Sequence, residues 1–240
     1  MKARTKIRLH RTVLFVLLCF AGCTTRTPAP ADTPKPHTIR YLALGDSYTI
    51  GQGVEPEERW PVQLVGLLEQ QGTVTEELVL IAQTGWTTDD LDRGIDFEKP
   101  QGTFDLVSLL IGVNNQYQGR DIEAYRDEFR NLLARAVGYA GESPGRVVVL
   151  SIPDWGATPF AAGQDSQRIG AEIDQFNAVN RDETERAQAR YVDVTAVSRQ
   201  AAQDRQLIAR DGLHPSAKMY LAWANLALPE VQAALAERSP

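Results

Sequence analysis

Five short apolar runs, separated by amphipathic helical stretches, constrain the fold of this chain more than any other feature. They are Ile39 to Leu44, Leu78 to Ala82, Asp105 to Ile111, Arg146 to Ile152 and Tyr191 to Val194, and Gly45, Gly112 and Pro153 close three of them. Apolar residues at helical spacing fill Pro61 to Gln70, Asp89 to Phe97, Ile122 to Tyr139 and Gln167 to Arg190. A last helix is expected over Ser216 to Leu235, broken or restarted at Pro229, because proline lacks the amide donor and clashes with the preceding turn. A strand that is apolar throughout needs cover on both faces. The alternation therefore predicts an α/β fold with a parallel five-stranded sheet between helices. In such sheets ligands sit beyond the carboxyl ends of the strands, where the loops gather.

The N-terminal stretch reads differently. Lys2, Arg4, Lys6, Arg8 and Arg11 precede an apolar run from Val13 to Phe20 and then small residues before Cys23, the layout of a secretory signal peptide. The apolar run is shorter than the roughly 20 residues a spanning helix needs. Residues 23–38 are rich in Thr, Pro and Ala and read as a tether, which leaves residues 39–240 as the domain. Loss of residues 1–22 removes five basic and no acidic side chains, taking the net charge from 25 − 31 = −6 to 20 − 31 = −11. An acidic surface lacks the basic footprint that nucleic acid requires. Of the two cysteines, Cys19 leaves with the signal and Cys23 stands at the new terminus, so neither a disulfide nor a cysteine metal site is expected.

The chain has three histidines. His10 lies in the signal and His37 in the tether, which leaves His214, in Asp211-Gly212-Leu213-His214-Pro215. Far upstream the first apolar run ends in Gly45-Asp46-Ser47. A hydroxyl nucleophile needs an adjacent base, and a histidine base works best when a carboxylate fixes its tautomer. Ser47, His214 and Asp211 supply those three roles. Singly, each segment reads as well as a polar turn at a strand end, and Asp46 reads as a turn carboxylate. Trp60, Trp86, Tyr117 and Trp155 lie near the same loops, as core packing or as pocket walls. Of these, Trp86, Tyr117 and Trp155, together with Asn115, are the candidate substrate-pocket residues.

Taken in order, these segments resemble the SGNH or GDSL hydrolase family across Ile39 to Leu228. Ala43-Leu44-Gly45-Asp46-Ser47-Tyr48-Thr49 looks like its nucleophile block, Gly85 its second block, Gly112-Val113-Asn114 its third and Asp211 to Pro215 its last. The resemblance implies a three-layer α/β/α sandwich of flavodoxin type and ester hydrolysis through an acyl-enzyme on Ser47. It also implies an oxyanion hole from the backbone N–H groups of Ser47 and Gly85 and the side-chain amide of Asn114. Asn115 departs from the family, which usually has aspartate there. Phe20-Ala21-Gly22-Cys23 resembles a bacterial lipobox with Phe20 in place of leucine, implying a lipid anchor on Cys23 and an exported, membrane-attached protein; ordinary cleavage would instead free it into the periplasm or medium. The expected substrate is a short- or medium-acyl ester, O-acetylated glycans among the options, with no metal or organic cofactor. A lysophospholipase or thioesterase of the same family, or a catalytically silent surface-binding lipoprotein, are the alternatives.

Overall fold

The computed structural model describes residues 37–237, so the signal segment, Cys23 and the tether up to Pro36 lie outside the described residues. Strands β1 (His37–Gly45), β2 (Thr73–Ala82), β3 (Leu106–Leu110), β4 (Val147–Leu150) and β5 (Arg190–Val192) form one sheet in the order β2-β1-β3-β4-β5. Every pairing is parallel. Tyr41 lies opposite Leu78 on one side and Leu106 on the other, which puts β1 inside the sheet. The central strands are buried without alternation: Leu42, Ala43 and Leu44, all of β3, and all of β4. β2 is half exposed, as an edge strand carrying Glu76 and Glu77 can be.

Among the described residues eight α-helices connect and cover the strands: α1 (Ser47–Ile50), α2 (Trp60–Glu69), α3 (Thr88–Glu98), α4 (Val113–Tyr117), α5 (Ile122–Tyr139), α6 (Ser166–Arg186), α7 (Thr195–Ser198) and α8 (Ala217–Ala236). α2 packs on α8, while α3, α5 and α6 pack in succession, so the sheet lies between two helical layers. Local chemistry sets the helix starts. Thr87 and Asp90 form a capping box for α3, and Asp121, Asp165 and Ser216 accept backbone amides at the starts of α5, α6 and α8. None of the described helices is long and apolar enough to cross a membrane.

Several boundaries differ from those expected of the sequence. β1 begins at His37, so the last two residues assigned to the tether are strand residues paired with Thr73 and Val74. β2 begins five residues before Leu78, because the Thr73–Glu77 half is held by its ladder to β1. α6 ends at Arg186 instead of Arg190; Gln188 takes a left-handed φ of 58°, and Arg190 already belongs to β5. Pro229 neither breaks nor restarts α8. It is exposed, so water can reach the Asn225 carbonyl it leaves without an amide, while Trp223, Ala224, Ala227, Val231 and Ala234 bury the opposite face on both sides of it.

Candidate active site

The sheet order reverses at β1, whose chain neighbours lie on opposite sides, and the crevice beyond such a switch point is where open α/β sheets hold ligands. Ser47 stands there because β1 ends and α1 begins within three residues. Only glycine fits at position 45: a Cβ would lie 2.2 Å from Thr49 Oγ1 and 2.6 Å from the Leu110 carbonyl. Asp46 caps α1, accepting the Tyr48 amide at 3.0 Å through Oδ1, while its buried Oδ2 has no hydrogen-bond partner. Burial pushes this carboxyl up to about 7, against the Tyr48 bond that favours the charged form. As the first residue of α1, Ser47 has an amide that the helix itself does not use.

The Asp211–His214 segment is a tight turn before α8. Ala209 N donates to the His214 carbonyl at 2.8 Å and Gly212, at φ 77°, donates to the Ala209 carbonyl at 3.1 Å. Within it Asp211 Oδ1 accepts the amides of Leu213 and His214, both at 2.9 Å, and Oδ2 lies 2.6 Å from His214 Nδ1. Burial raises the Asp211 pKa, but the two amides and the imidazole outweigh it and hold the group below its ordinary value. The carboxylate therefore stays charged and keeps Nδ1 of His214 occupied, which turns Nε2 to the other side of the ring.

Ser47, Gly85, Asn114 and His214 line one cleft of about 220 Å³, and Tyr117 and Trp155 line it with them. Gly85 has φ 84°, a left-handed conformation that favours glycine even though a Cβ there would point into open space. Asn114 donates from Nδ2 to the Trp86 carbonyl at 2.9 Å, which settles which amide atom is nitrogen and leaves its second proton for another acceptor. A hydroxyl, an imidazole fixed by a carboxylate, and converging N–H donors are together the parts of a nucleophile, base and oxyanion site.

Two of the four pocket residues expected from the sequence do not face the cleft. Asn115 is buried and staples α4 to the start of α3: its Oδ1 accepts the Thr88 amide at 3.1 Å, and Nδ2 donates to Thr88 Oγ1 at 2.7 Å and Glu128 Oε2 at 3.3 Å. An aspartate there could not donate those last two bonds while ionised. Trp86 offers the site only its carbonyl; its indole lies over α3, where a Cβ on Gly94 would be 2.3 Å from the ring. Trp60 is fully buried in α2 as core. Gln52, Thr84, Phe160 and Leu213 also line the cleft, and the sequence does not single them out. Phe160 carries no motif; its amide, bonded to the Gly212 carbonyl at 2.9 Å, ties its turn to the loop that carries His214.

A larger groove, about 810 Å³, lies at the opposite ends of β4 and β5. Arg190 pairs there with Glu230 and Glu237, and among the described residues no histidine lines it to activate Ser143, so its size alone does not mark a serine-hydrolase site.

A family model described as GDSL-like Lipase/Acylhydrolase family matches residues 43–222. Among solved structures, the lipase/acylhydrolase from Enterococcus faecalis is 19% identical, with 84% of this chain and 99% of that one covered at a TM-score of 0.61. Axe2, an acetylxylan esterase from Geobacillus stearothermophilus, is 20% identical over 82% of this chain and 96% of its own, at 0.60. The psychrotrophic esterase EstA from Pseudoalteromonas sp. is 16% identical over 82% and 99%, at 0.61. At these identities the likeness is one of fold. No curated protein sequence matches.

Proposed function

The chain belongs to the GDSL-like lipase/acylhydrolase family and is a carboxylic ester hydrolase, and on that premise we propose that it cleaves short- or medium-acyl esters through an acyl-enzyme on Ser47. The observation that carries this reading is the single cleft shared by Ser47, Gly85, Asn114 and His214, with Asp211 Oδ2 2.6 Å from His214 Nδ1. Ser47 Oγ attacks the acyl carbon as His214 Nε2 takes its proton, and Asp211 stabilises the imidazolium. Charge that develops on the carbonyl oxygen meets the amides of Ser47 and Gly85 and the free proton of Asn114 Nδ2. His214 then returns the proton to the leaving alkoxide. Water, deprotonated by His214, attacks the acyl carbon, the Ser47–acyl bond breaks, and carboxylic acid and free serine result.

A surface-binding role without catalysis has no use for this whole set on four separate loops. Export and a lipid anchor on Cys23 form part of the same proposal, supported by the basic, apolar and small-residue succession of residues 2–23.

Hydrolysis of p-nitrophenyl esters by the purified domain, beside Ser47→Ala and His214→Ala, tests the mechanism. Each variant is expected to lose on the order of 10⁴-fold in kcat, and the double variant little more, because the pair acts as one unit. Full activity in Ser47→Ala would end the proposal.

A further inference from the structure

Three rings stand along one side of the cleft. Tyr117 closes α4 three residues after Asn114, and Phe160 sits in a short turn hydrogen-bonded to the loop that carries His214. Trp155 joins them: its ring centroid is 5.3 Å from that of Tyr117 at 70° and 5.9 Å from that of Phe160 at 66°, edge-on in both cases. Trp155 itself is held, since Nε1 donates to Gln116 Oε1 at 2.8 Å and Gln116 in turn donates to Glu172 at 2.7 Å. Tyr117 and Phe160 remain 56% and 43% exposed, unusual for large rings with a core within reach.

Resting on the reading of Ser47 as nucleophile, we propose that the Tyr117–Trp155–Phe160 wall is the acyl subsite and selects uncharged acyl groups of roughly four to eight carbons. Val113 and Leu213 extend its apolar character, and among the described residues no Asp, Glu, Lys or Arg lines the cleft to meet an ionised substrate group. The volume, about 220 Å³, is on the order of seven liquid-water volumes, enough for a short chain and too small for a long lipid tail. A sugar stacked on the rings would need polar groups around its edge. Gln116 is already committed to Trp155 and Glu172, and Thr84 Oγ1 donates to Gln52 Oε1 at 2.5 Å, which leaves the Gln52 amide as a sparse polar edge for a sugar ring.

The test measures kcat/KM for p-nitrophenyl acetate, butyrate, hexanoate and decanoate with the wild type, Phe160→Ala, Tyr117→Ala and Phe160→Leu. The wild type should gain about threefold per added methylene up to hexanoate and lose the gain at decanoate. Phe160→Ala and Tyr117→Ala should each cut the hexanoate-to-acetate ratio by roughly five- to tenfold, with Phe160→Leu restoring most of it. Because a truncation can misfold, the rate of Ser47 labelling by ethyl against hexyl phosphonates in the wild type gives a second reading, with hexyl expected to be faster. Ser47-dependent hydrolysis whose ratio is the same in all four proteins overturns the subsite and leaves the ester reading standing. Preference for an acetylated xylooligosaccharide over hexanoate, lost in Tyr117→Ala, overturns it in favour of a glycan platform. Absence of turnover and of Ser47 labelling overturns both readings.

Discussion

One residue before the proposed nucleophile, Asp46 combines full burial with a carboxylate oxygen that has no hydrogen-bond partner among the described residues. Its pKa, raised from 3.8 to about 7, means that the folded state holds the proton more tightly than the unfolded chain. Stability from Asp46 is therefore full below about pH 4 and lost as pH rises towards 7. At about 1.4 kcal/mol per pH unit the loss is on the order of 4 kcal/mol. Asp46→Asn removes that limb: its melting temperature relative to the wild type should climb by several degrees between pH 4 and pH 7 and then level, and a pH-independent difference would contradict the assignment. Asn114 belongs to the same scale. With one amide proton spent on Trp86, the other is its whole contribution to an oxyanion, so Asn114→Ala should lower kcat by about 10²- to 10³-fold with KM little changed. A raised KM at unchanged kcat would place Asn114 in ground-state binding instead. Both residues stand out in the sequence, but their bonds do not. Asn115, its immediate neighbour, reads from the sequence as a pocket residue and is instead a staple, because adjacent residues of a helix point about 100° apart.

Among elements, the buried central strands are the most legible, since an unbroken apolar run needs no tertiary information to be read as buried. α5 is legible to its last residue because Asp121 caps it and its apolar face repeats at helical spacing. α8 is not, since the penalty of Pro229 is local and the packing that outweighs it is distributed along the helix. The penalty remains measurable. Pro229→Ala restores an amide donor for the Asn225 carbonyl at an exposed site and should stabilise the protein by roughly 1–2 kcal/mol, after allowing for the greater freedom of the unfolded alanine chain. Chemical denaturation reads this as a higher midpoint at constant slope; an unchanged midpoint would mean that the helix bends to relieve the proline at no cost. The short α1 and α4 are set by Gly45 and Gly112, where glycine alone escapes a clash, and each carries a proposed catalytic group on its first turn.

For the whole molecule, the segment preceding the fold bears on where an acidic ester hydrolase works. Replacing Cys23 by Ala should move the protein from the membrane to the soluble fraction and abolish labelling by radioactive palmitate, without changing turnover by the domain; retention at the membrane would rule out an anchor at that position. Local patterns along the chain suffice for the class of fold, the segments that bring a hydroxyl, an imidazole and a carboxylate to the carboxyl edge of the sheet, and most helix starts. These follow from burial periodicity, capping and side-chain chemistry, all of which act over a few residues. Long-range packing was needed for the strand order that opens the crevice beside β1, the passage of α8 through Pro229, and the choice of side chains that enter the cleft. Tyr117 and Phe160 face it while Asn115 and the Trp86 indole turn away, because a side chain's direction depends on how its element is rotated and packed against distant ones. That rotation is set by contacts between residues tens of positions apart, which no local pattern records.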